Sequence, residues 1–484
     1  MGYKMKLTDE QIQVIARKVA ESLGHGAAAS ADAPEARERG DTSLTGIFRT
    51  IDGAVSAAET AFRQFAEMTL EKRAEVIASI RAAMLANAEY LAREAHLETG
   101  LGRLESKIMK NRLVTEKTPG TEALKSVAWS GDDGLTLVER APYGVIAAIT
   151  PTTNPTSTII CNTIGMLAAG NAVVFNVHPN AKMVSSINIE LLNQAIVKAG
   201  GPVNLVTGVA EPTVESAQAL MRHPRVGLLV VTGGPGVVKE AMTSGKRAIC
   251  AGPGNPPAVV DETANIQKAA ADIVFGASLD NNIICVDEKE VFVVDSVADE
   301  LLRQMQVNKA FLLSPSQLKQ VEQVIFSEQR GPGKPGVINR KFIGKNASVI
   351  LGEIGVKVDD SVPLLVAEVP IEHPLIWTEQ MLPVLPVARV RSADEGIDLA
   401  VKAEHGFRHT ASMHSRNIEK LSRMARVMNC SIFVKNGANA AGLGYGGEGY
   451  CSFSIASPTG EGLTGPHSFT RERRCTLVDY FRIV

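Results

Sequence analysis

Val145-Ile-Ala-Ala-Ile149, Ala172-Val-Val-Phe175, Val203-Asn-Leu-Val206 and Val226-Gly-Leu-Leu-Val-Val231 are four short apolar runs that come in quick succession. Each is followed by a segment whose apolar residues recur at helical spacing, over 157–169, 182–199, 213–222 and 235–243 respectively. Strands that lack a polar face must be covered on both sides. Alternation with helices therefore predicts a parallel sheet with crossover helices, the doubly wound α/β class. The texture begins near residue 144; upstream, from about 45 to 126, the chain reads as helical, as over Val55–Ala66 and Lys72–Thr99. A second alternating block spans about 262–455, with strand candidates Val291–Val294, Val384–Val390, Thr410–His414 and Ser431–Val434. The final Cys475–Val484 reads as a strand with nothing after it to pair with.

Length and composition bound the rest. A chain of 484 residues predicts two or three domains, and 45% hydrophobic with 21% charged residues is an ordinary globular composition. The net charge of −2 provides no field for nucleic acid or an acidic membrane. No uninterrupted apolar run reaches the roughly 18 residues that a membrane-spanning helix needs. The six cysteines at 161, 250, 285, 430, 451 and 475 are sparse, without CxxC pairs or Cys/His clusters. That pattern predicts neither a disulfide framework nor a zinc site, and it fits a reducing interior where a thiolate survives.

The first 24 residues form a unit of their own. Thr8 is placed as an N-cap with Gln11 completing a capping box, and Leu7 and Ile12 fit the flanking hydrophobic staple. Ile12, Ile15, Ala16, Val19, Ala20 and Leu23 then make one apolar stripe that stops at Gly24, with Asp9, Glu10, Gln13, Arg17, Lys18 and Glu21 opposite. The stretch from 25 to about 45 is rich in Ala, Gly, Ser and charge and reads as a flexible linker. A tethered amphipathic helix has to dock its stripe on another surface.

Cys285 is the residue around which chemistry gathers. It follows Asp280-Asn281-Asn282-Ile283-Ile284 and precedes the strand-like Glu290–Val294, so it is expected in a loop that can present it to a cleft. Upstream stand Ile149-Thr-Pro-Thr-Thr-Asn-Pro155, Thr232-Gly-Gly-Pro-Gly236 and Ala251-Gly-Pro-Gly-Asn-Pro-Pro257; downstream stands Glu379-Gln-Met-Leu-Pro-Val384. This ordered set resembles the aldehyde dehydrogenase superfamily, and its variants resemble the coenzyme-A-acylating members of propanediol and ethanolamine utilisation. The likeness covers essentially the whole chain from about residue 45, while residues 1–24 resemble the encapsulation peptides of bacterial microcompartments.

The resemblance carries expectations residue by residue. It implies Cys285 as the nucleophile that forms a thioester and Asn154 as an oxyanion donor. It implies a nicotinamide dinucleotide held by Thr150, Pro151, Thr152, Thr232, Gly233, Gly234, Gly252, Pro253, Glu379 and Leu382, with Asn176 and His178 beside the adenosine ribose. A lysine common in relatives at the end of the second strand is missing from Val174-Phe-Asn-Val-His-Pro179, which weakens the preference for NAD over NADP. The same likeness divides the chain into a dinucleotide-binding domain at 46–261, with part of an oligomerisation flap near 127–143. A catalytic domain follows at 262–455, then a C-terminal return and oligomerisation strand at 456–484. It implies a homodimer or homotetramer, and a place in the lumen of a microcompartment through contacts of residues 1–24 with shell proteins. At Ala251, hydrolytic relatives carry a glutamate that activates water. Without it general-base hydrolysis falls by ~10²–10⁴-fold. The expected thiol acceptor is coenzyme A, and the expected substrate a short-chain aldehyde, propionaldehyde before acetaldehyde. The alternatives are acetaldehyde as main substrate, hydrolysis to the free acid, and a catalytically inert shell-binding protein.

Three other motifs are set aside. Gly442-Leu-Gly-Tyr-Gly-Gly447 has the letters of a dinucleotide fingerprint but joins no strand to a crossover helix. Thr243-Ser-Gly-Lys-Arg247 ends like a phosphate loop whose first glycine is replaced by Glu240. His405, His409 and His414 lack the carboxylates of a metal site and read as ordinary structural or surface histidines.

Overall fold

The computed structural model describes residues 44–484; the amphipathic segment at 1–24 and most of the 25–45 linker lie outside the described residues. Two parallel sheets carry the fold. In the first, six strands run in the order Ile47–Phe48, Val206–Val209, Ala172–Asn176, Val145–Ile149, Val226–Thr232 and Ala248–Ala251. All pairs are parallel, and every residue of strands 145–149 and 172–176 is buried. Strand 145–149 is flanked by 172–176 on one side and 226–232 on the other, so the chain reverses its winding direction there. The crevice beyond the C-terminal ends of such strands is where open α/β sheets bind ligands.

Four helices, Ile51–Ala66, Leu70–Ala86, Ala88–Thr99 and Leu104–Lys117, occupy the stretch read as helical. Thr50 and Thr69 cap the first two by accepting the Gly53 and Lys72 N–H groups. Helix Pro155–Ala168 is buried along its whole length, which its apolar composition requires.

The second sheet has seven parallel strands in the order Phe311–Leu312, Leu365–Glu368, Val384–Val390, Glu290–Val294, Pro257–Val260, Thr410–His414 and Ile432–Lys435. Strand Pro257–Val260 therefore sits at the heart of this sheet, between 290–294 and 410–414, and the first domain does not extend to 261. The switch of sheets falls in the Gly252–Pro256 loop, whose residues cannot continue a ladder. At the other boundary, Leu443, Cys451, Phe453 and Ile455 pack into the same core as Ile146, so this part of the segment assigned to the catalytic domain covers the first sheet.

Two strand expectations shift. The run read as 203–206 pairs only from Val206, because Asn204 turns the chain in the left-handed region at φ 66°. The C-terminal strand is Thr470–Val478, ending before Asp479 (φ 68°), and it does have a partner: it lies antiparallel to Gly134–Pro142, which also pairs with Val127–Gly131. This three-stranded flap is largely exposed, and Trp129, Leu477 and Val478 face solvent. Cys475 is exposed on the flap's last strand. Among the described residues no helix is long and apolar enough to cross a membrane.

Candidate active site

A cleft of about 780 Å³ opens at the C-terminal ends of strands 145–149, 172–176 and 226–232. It collects Thr150, Pro151, Thr152, Asn154, Asn176, His178, Thr232, Gly233, Gly234, Gly252, Pro253, Cys285 and Glu379, all singled out in the sequence. Leu382 is not among them. It is fully buried in the core of the second sheet, where its role is packing. Ile283, Met381 and Phe453 complete the wall near Cys285 and were not anticipated, since isolated apolar residues carry no sequence signal.

The dinucleotide side is built from backbone and small side chains. Gly233 and Gly234 lead into helix Pro235–Met242, whose first-turn N–H groups favour an anion. A Cβ at Gly234 or Gly236 would meet nothing, so the approach to that turn is open. The Thr150 and Thr152 hydroxyls are buried with no partner, as suits groups that await a polar ligand. These residues fit a dinucleotide. Asn176 is already engaged: its Oδ1 accepts the Ser216 hydroxyl at 2.5 Å and its Nδ2 donates to the Thr213 carbonyl at 3.4 Å, which ties it to the start of helix Val214–Arg222. Half-buried His178 accepts the Asn180 N–H through Nδ1, and burial pulls its pKa down.

The nucleophile side is held by buried charge. Asp280, Asn281 and Asn282 take three successive left-handed conformations, at φ 47°, 57° and 65°. Each costs on the order of 1–3 kcal/mol and persists only where the surroundings enforce it. Here every one of the three side chains is fixed. Asp280 accepts the Arg103 N–H at 2.7 Å and pairs with Lys107 at 3.1 Å and with Lys110. Asn281 accepts Arg103 Nε and donates to the Gly344 carbonyl and Asn346. Asn282 donates to the Ala277 and Glu288 carbonyls and accepts Lys289 Nζ at 2.7 Å. Lys289 also donates to the Asn282 and Ile284 carbonyls, closing the loop behind Cys285.

Cys285 itself is half-buried. Burial foremost, with Glu379 adding, pushes its thiol up to about 12, while Lys289 pulls the other way. Its carbonyl packs against Gly254, where a Cβ would stand 2.8 Å from that oxygen; this close approach requires a glycine. Glu379 accepts the Gly254 N–H at 3.3 Å, and burial raises its carboxyl pKa. The acids lining the cleft are Glu379 and Glu240, and Glu240 is paired with Arg222 at 2.5 Å. Strand 248–251 ends at Ala251 with no carboxylate.

Lys107, Lys110, Asp280 and Lys289 are functional candidates that the sequence did not reveal. Only Asp280-Asn281-Asn282 carried a hint, because Asp and Asn tolerate left-handed backbone. The motifs set aside do other work. Lys117 clamps the carbonyls of Gly444 and Gly447, and Lys246 donates to those of His223 and Val226. His409 and His414 are fully buried, not surface residues, while His405 is exposed. Among the described residues no group of His, Cys, Asp or Glu is arranged to hold a metal.

Comparison with known proteins gives the arrangement its relatives. Residues 46–457 match the aldehyde dehydrogenase family. The chain is 51% identical over 444 residues to an acetaldehyde dehydrogenase (acetylating) of Bilophila wadsworthia, covering 91% of each. Among solved structures it is similar to a Rhodopseudomonas palustris propionaldehyde dehydrogenase with bound CoA and an acylated cysteine, at 50% identity and TM-score 0.87, covering 90% of this chain and 98% of that one. A propionaldehyde dehydrogenase from the Clostridium phytofermentans fucose utilisation bacterial microcompartment matches at 45% identity and TM-score 0.88, covering 91% and 100%.

Proposed function

The chain belongs to the aldehyde dehydrogenase family, and from that premise we propose that it oxidises a short-chain aldehyde to the acyl-CoA, with Cys285 as nucleophile. The Cys285 thiol gives its proton to solvent and the sulfur adds to the aldehyde carbonyl, leaving an oxyanion that the Asn154 side chain and the Cys285 N–H stabilise. A nicotinamide dinucleotide, when bound, supplies the acceptor for the hydride that then leaves the carbonyl carbon. Cys285 is left holding a thioester. The CoA thiol displaces it, forming the acyl-CoA and returning the Cys285 thiol.

The observation that carries this reading is the acid-free wall at Ala251-Gly-Pro253. No carboxylate stands at Ala251, where hydrolysis would need one to activate water; of the two cleft acids, Glu240 is paired with Arg222 and Glu379 accepts the Gly254 N–H through one oxygen. A thiol needs little such help, because it ionises far more readily than water. Gly233 and Gly234 would hold the pyrophosphate and Glu379 the nicotinamide ribose. NAD is the proposed cofactor rather than NADP: no Lys or Arg lines the cleft among the described residues, so a 2′-phosphate would find no cation. Propionaldehyde is the proposed first substrate and acetaldehyde the second; the relatives named above act on one or the other.

The remaining assignments rest on sequence and kinship. Residues 1–24 are proposed to bring the enzyme into a bacterial microcompartment, the setting named for the Clostridium relative. Self-association is proposed through the exposed apolar residues of the flap. The test of function follows NADH from propionaldehyde with and without CoA. Steady production only with CoA, and a single burst of about one NADH per site without it, is the expected result. Equal rates, with free acid as product in both, would overturn the acylating assignment.

A further inference from the structure

We propose that Lys110 is the positioning residue for the oxyanion donor: its buried ammonium clamps the Asn154 amide in the orientation that turns its N–H toward Cys285's substrate, and ties that amide to the loop that carries the nucleophile. The proposal deepens the reading of Asn154 given above and rests on it.

A lysine ammonium has three hydrogens and nothing to accept with. Lys110 Nζ has three acceptors in reach: the Thr153 carbonyl at 3.4 Å, Asn154 Oδ1 at 2.6 Å, and Asp280 Oδ2. Two lie in the oxyanion loop and the third in the Cys285 loop, so one cation joins the two segments that must act together. The end of the Asn154 amide that faces Lys110 has to be the oxygen, and its NH₂ therefore has to face the other way. One of those hydrogens goes to Thr153 Oγ1 at 3.1 Å, and the second is left over. Asn154 lines the same cleft as Cys285. It stands at the N-cap position of helix 155–168, where an asparagine usually bonds to its own helix, yet it makes no such bond. Lys110 has drawn the side chain away from capping.

The surroundings keep the clamp in force. Lys110 and Asp280 are both fully buried, so the pair is not screened by solvent. Lys107, one helical turn earlier, pairs with the same Asp280 oxygen at 3.1 Å but makes no bond to Asn154. Burial draws Lys110 down to about 8, with Asp280 opposing, so the group still carries three hydrogens at neutral pH.

The neighbouring Lys107 supplies the control, and a double-mutant cycle supplies the decision. The rate of the NADH burst, measured in a single turnover without CoA, reports the step in which the oxyanion forms. Lys110→Met is expected to slow the burst ~10–10²-fold while leaving NAD affinity and the aldehyde concentration dependence within about twofold, because a group that acts on the transition state lowers kcat and not binding. Asn154→Ala is expected to cost ~10²–10³-fold, and adding Lys110→Met to it no more than about threefold further, since the clamp then has nothing to orient. Lys107→Met removes a cation from the same carboxylate but touches no part of Asn154, so its loss, whatever its size, should multiply with that of Asn154→Ala instead of vanishing beside it. Lys110→Gln, uncharged but still an N–H donor, should keep more of the rate than Lys110→Met; it takes that variant's place in the cycle if methionine prevents folding. Multiplicative losses in the Lys110→Met/Asn154→Ala double variant, or a Lys107→Met loss that likewise disappears beside Asn154→Ala, would overturn the proposal. Should Asn154→Ala itself leave the burst unchanged, the underlying assignment of Asn154 fails instead.

Discussion

The two walls of the cleft are made of different materials. The dinucleotide wall is made of glycines, a helix N-terminus and threonine hydroxyls, with Asn176 and His178 bonded inward and Glu240 paired with Arg222. The nucleophile wall is backed by ionisable groups taken out of water, with the Lys107, Lys110 and Asp280 ion pairs on one side of the Cys285 loop and Asp287, Glu288, Lys289 and Glu290 on the other. A wall that receives a ligand can stay unstrained and open. One that holds a reactive sulfur on three left-handed residues has to be braced, and buried ion pairs brace by being costly to break.

That contrast can be attacked first at the sulfur. Cys285→Ala should abolish turnover, by at least ~10⁴-fold, while dinucleotide binding, which uses the other wall, persists within about threefold. Retained activity would refute the mechanism, and lost binding would show that the walls are not independent.

The next effect concerns proton affinity. With its thiol pushed up to about 12, Cys285 in the ligand-free protein is protonated at neutral pH. Its alkylation by iodoacetamide should climb ~10-fold per pH unit from 7 to 10 without a plateau, because only the thiolate reacts. A plateau near pH 8 would mean that the nearby lysines outweigh burial and Glu379.

A smaller effect tests the far brace. Glu288 is fully buried, accepts the Asn439 N–H, and is pushed by burial to about 8 from the usual carboxylate value. A folded-state pKa above the unfolded one stabilises at low pH, and the contribution is lost as pH rises through about 8. Glu288→Gln keeps an acceptor for Asn439 but cannot ionise. Its melting temperature should fall less than the parent's between pH 5 and 9, by a few degrees; parallel curves would show that Glu288 does not titrate in that window. The smallest effect is expected furthest from either wall: Cys475→Ser, on the exposed flap, should leave rate and melting temperature within experimental scatter.

How much of this was legible follows from where the determinants lie. Strands 145–149, 172–176 and 226–232 could be read because a buried parallel strand is an uninterrupted apolar run. Pro257–Val260 is just as buried but follows a Gly/Pro loop and is only four residues long, so its sheet membership is decided by partners far away in the chain. The outer strands Phe311–Leu312 and Leu365–Glu368 were missed for the same brevity. In the site, Cys285, Asn154 and the glycine turn stand in local motifs. Lys110 stands in none: it looks like any lysine on a polar helix, and only the approach of Asp280, far along the chain, gives it a purpose. Leu382 erred in the opposite way, because its place beside Glu379 in a motif said nothing about which direction its side chain takes.

The flap has a consequence for the order in which the molecule is made. Gly134–Pro142 is synthesised long before its nine-residue partner, Thr470–Val478. At ~5–20 residues per second, the hairpin 127–142 waits some tens of seconds with one edge unpaired. Strand 257–260 has the same difficulty on a shorter clock, since its neighbour at 410–414 arrives later than the one at 290–294. An enzyme assembled from such long-range pairings carries open edges for as long as the intervening chain takes to be made, and the hairpin at 127–142 stays exposed to mispairing until Thr470–Val478 arrives.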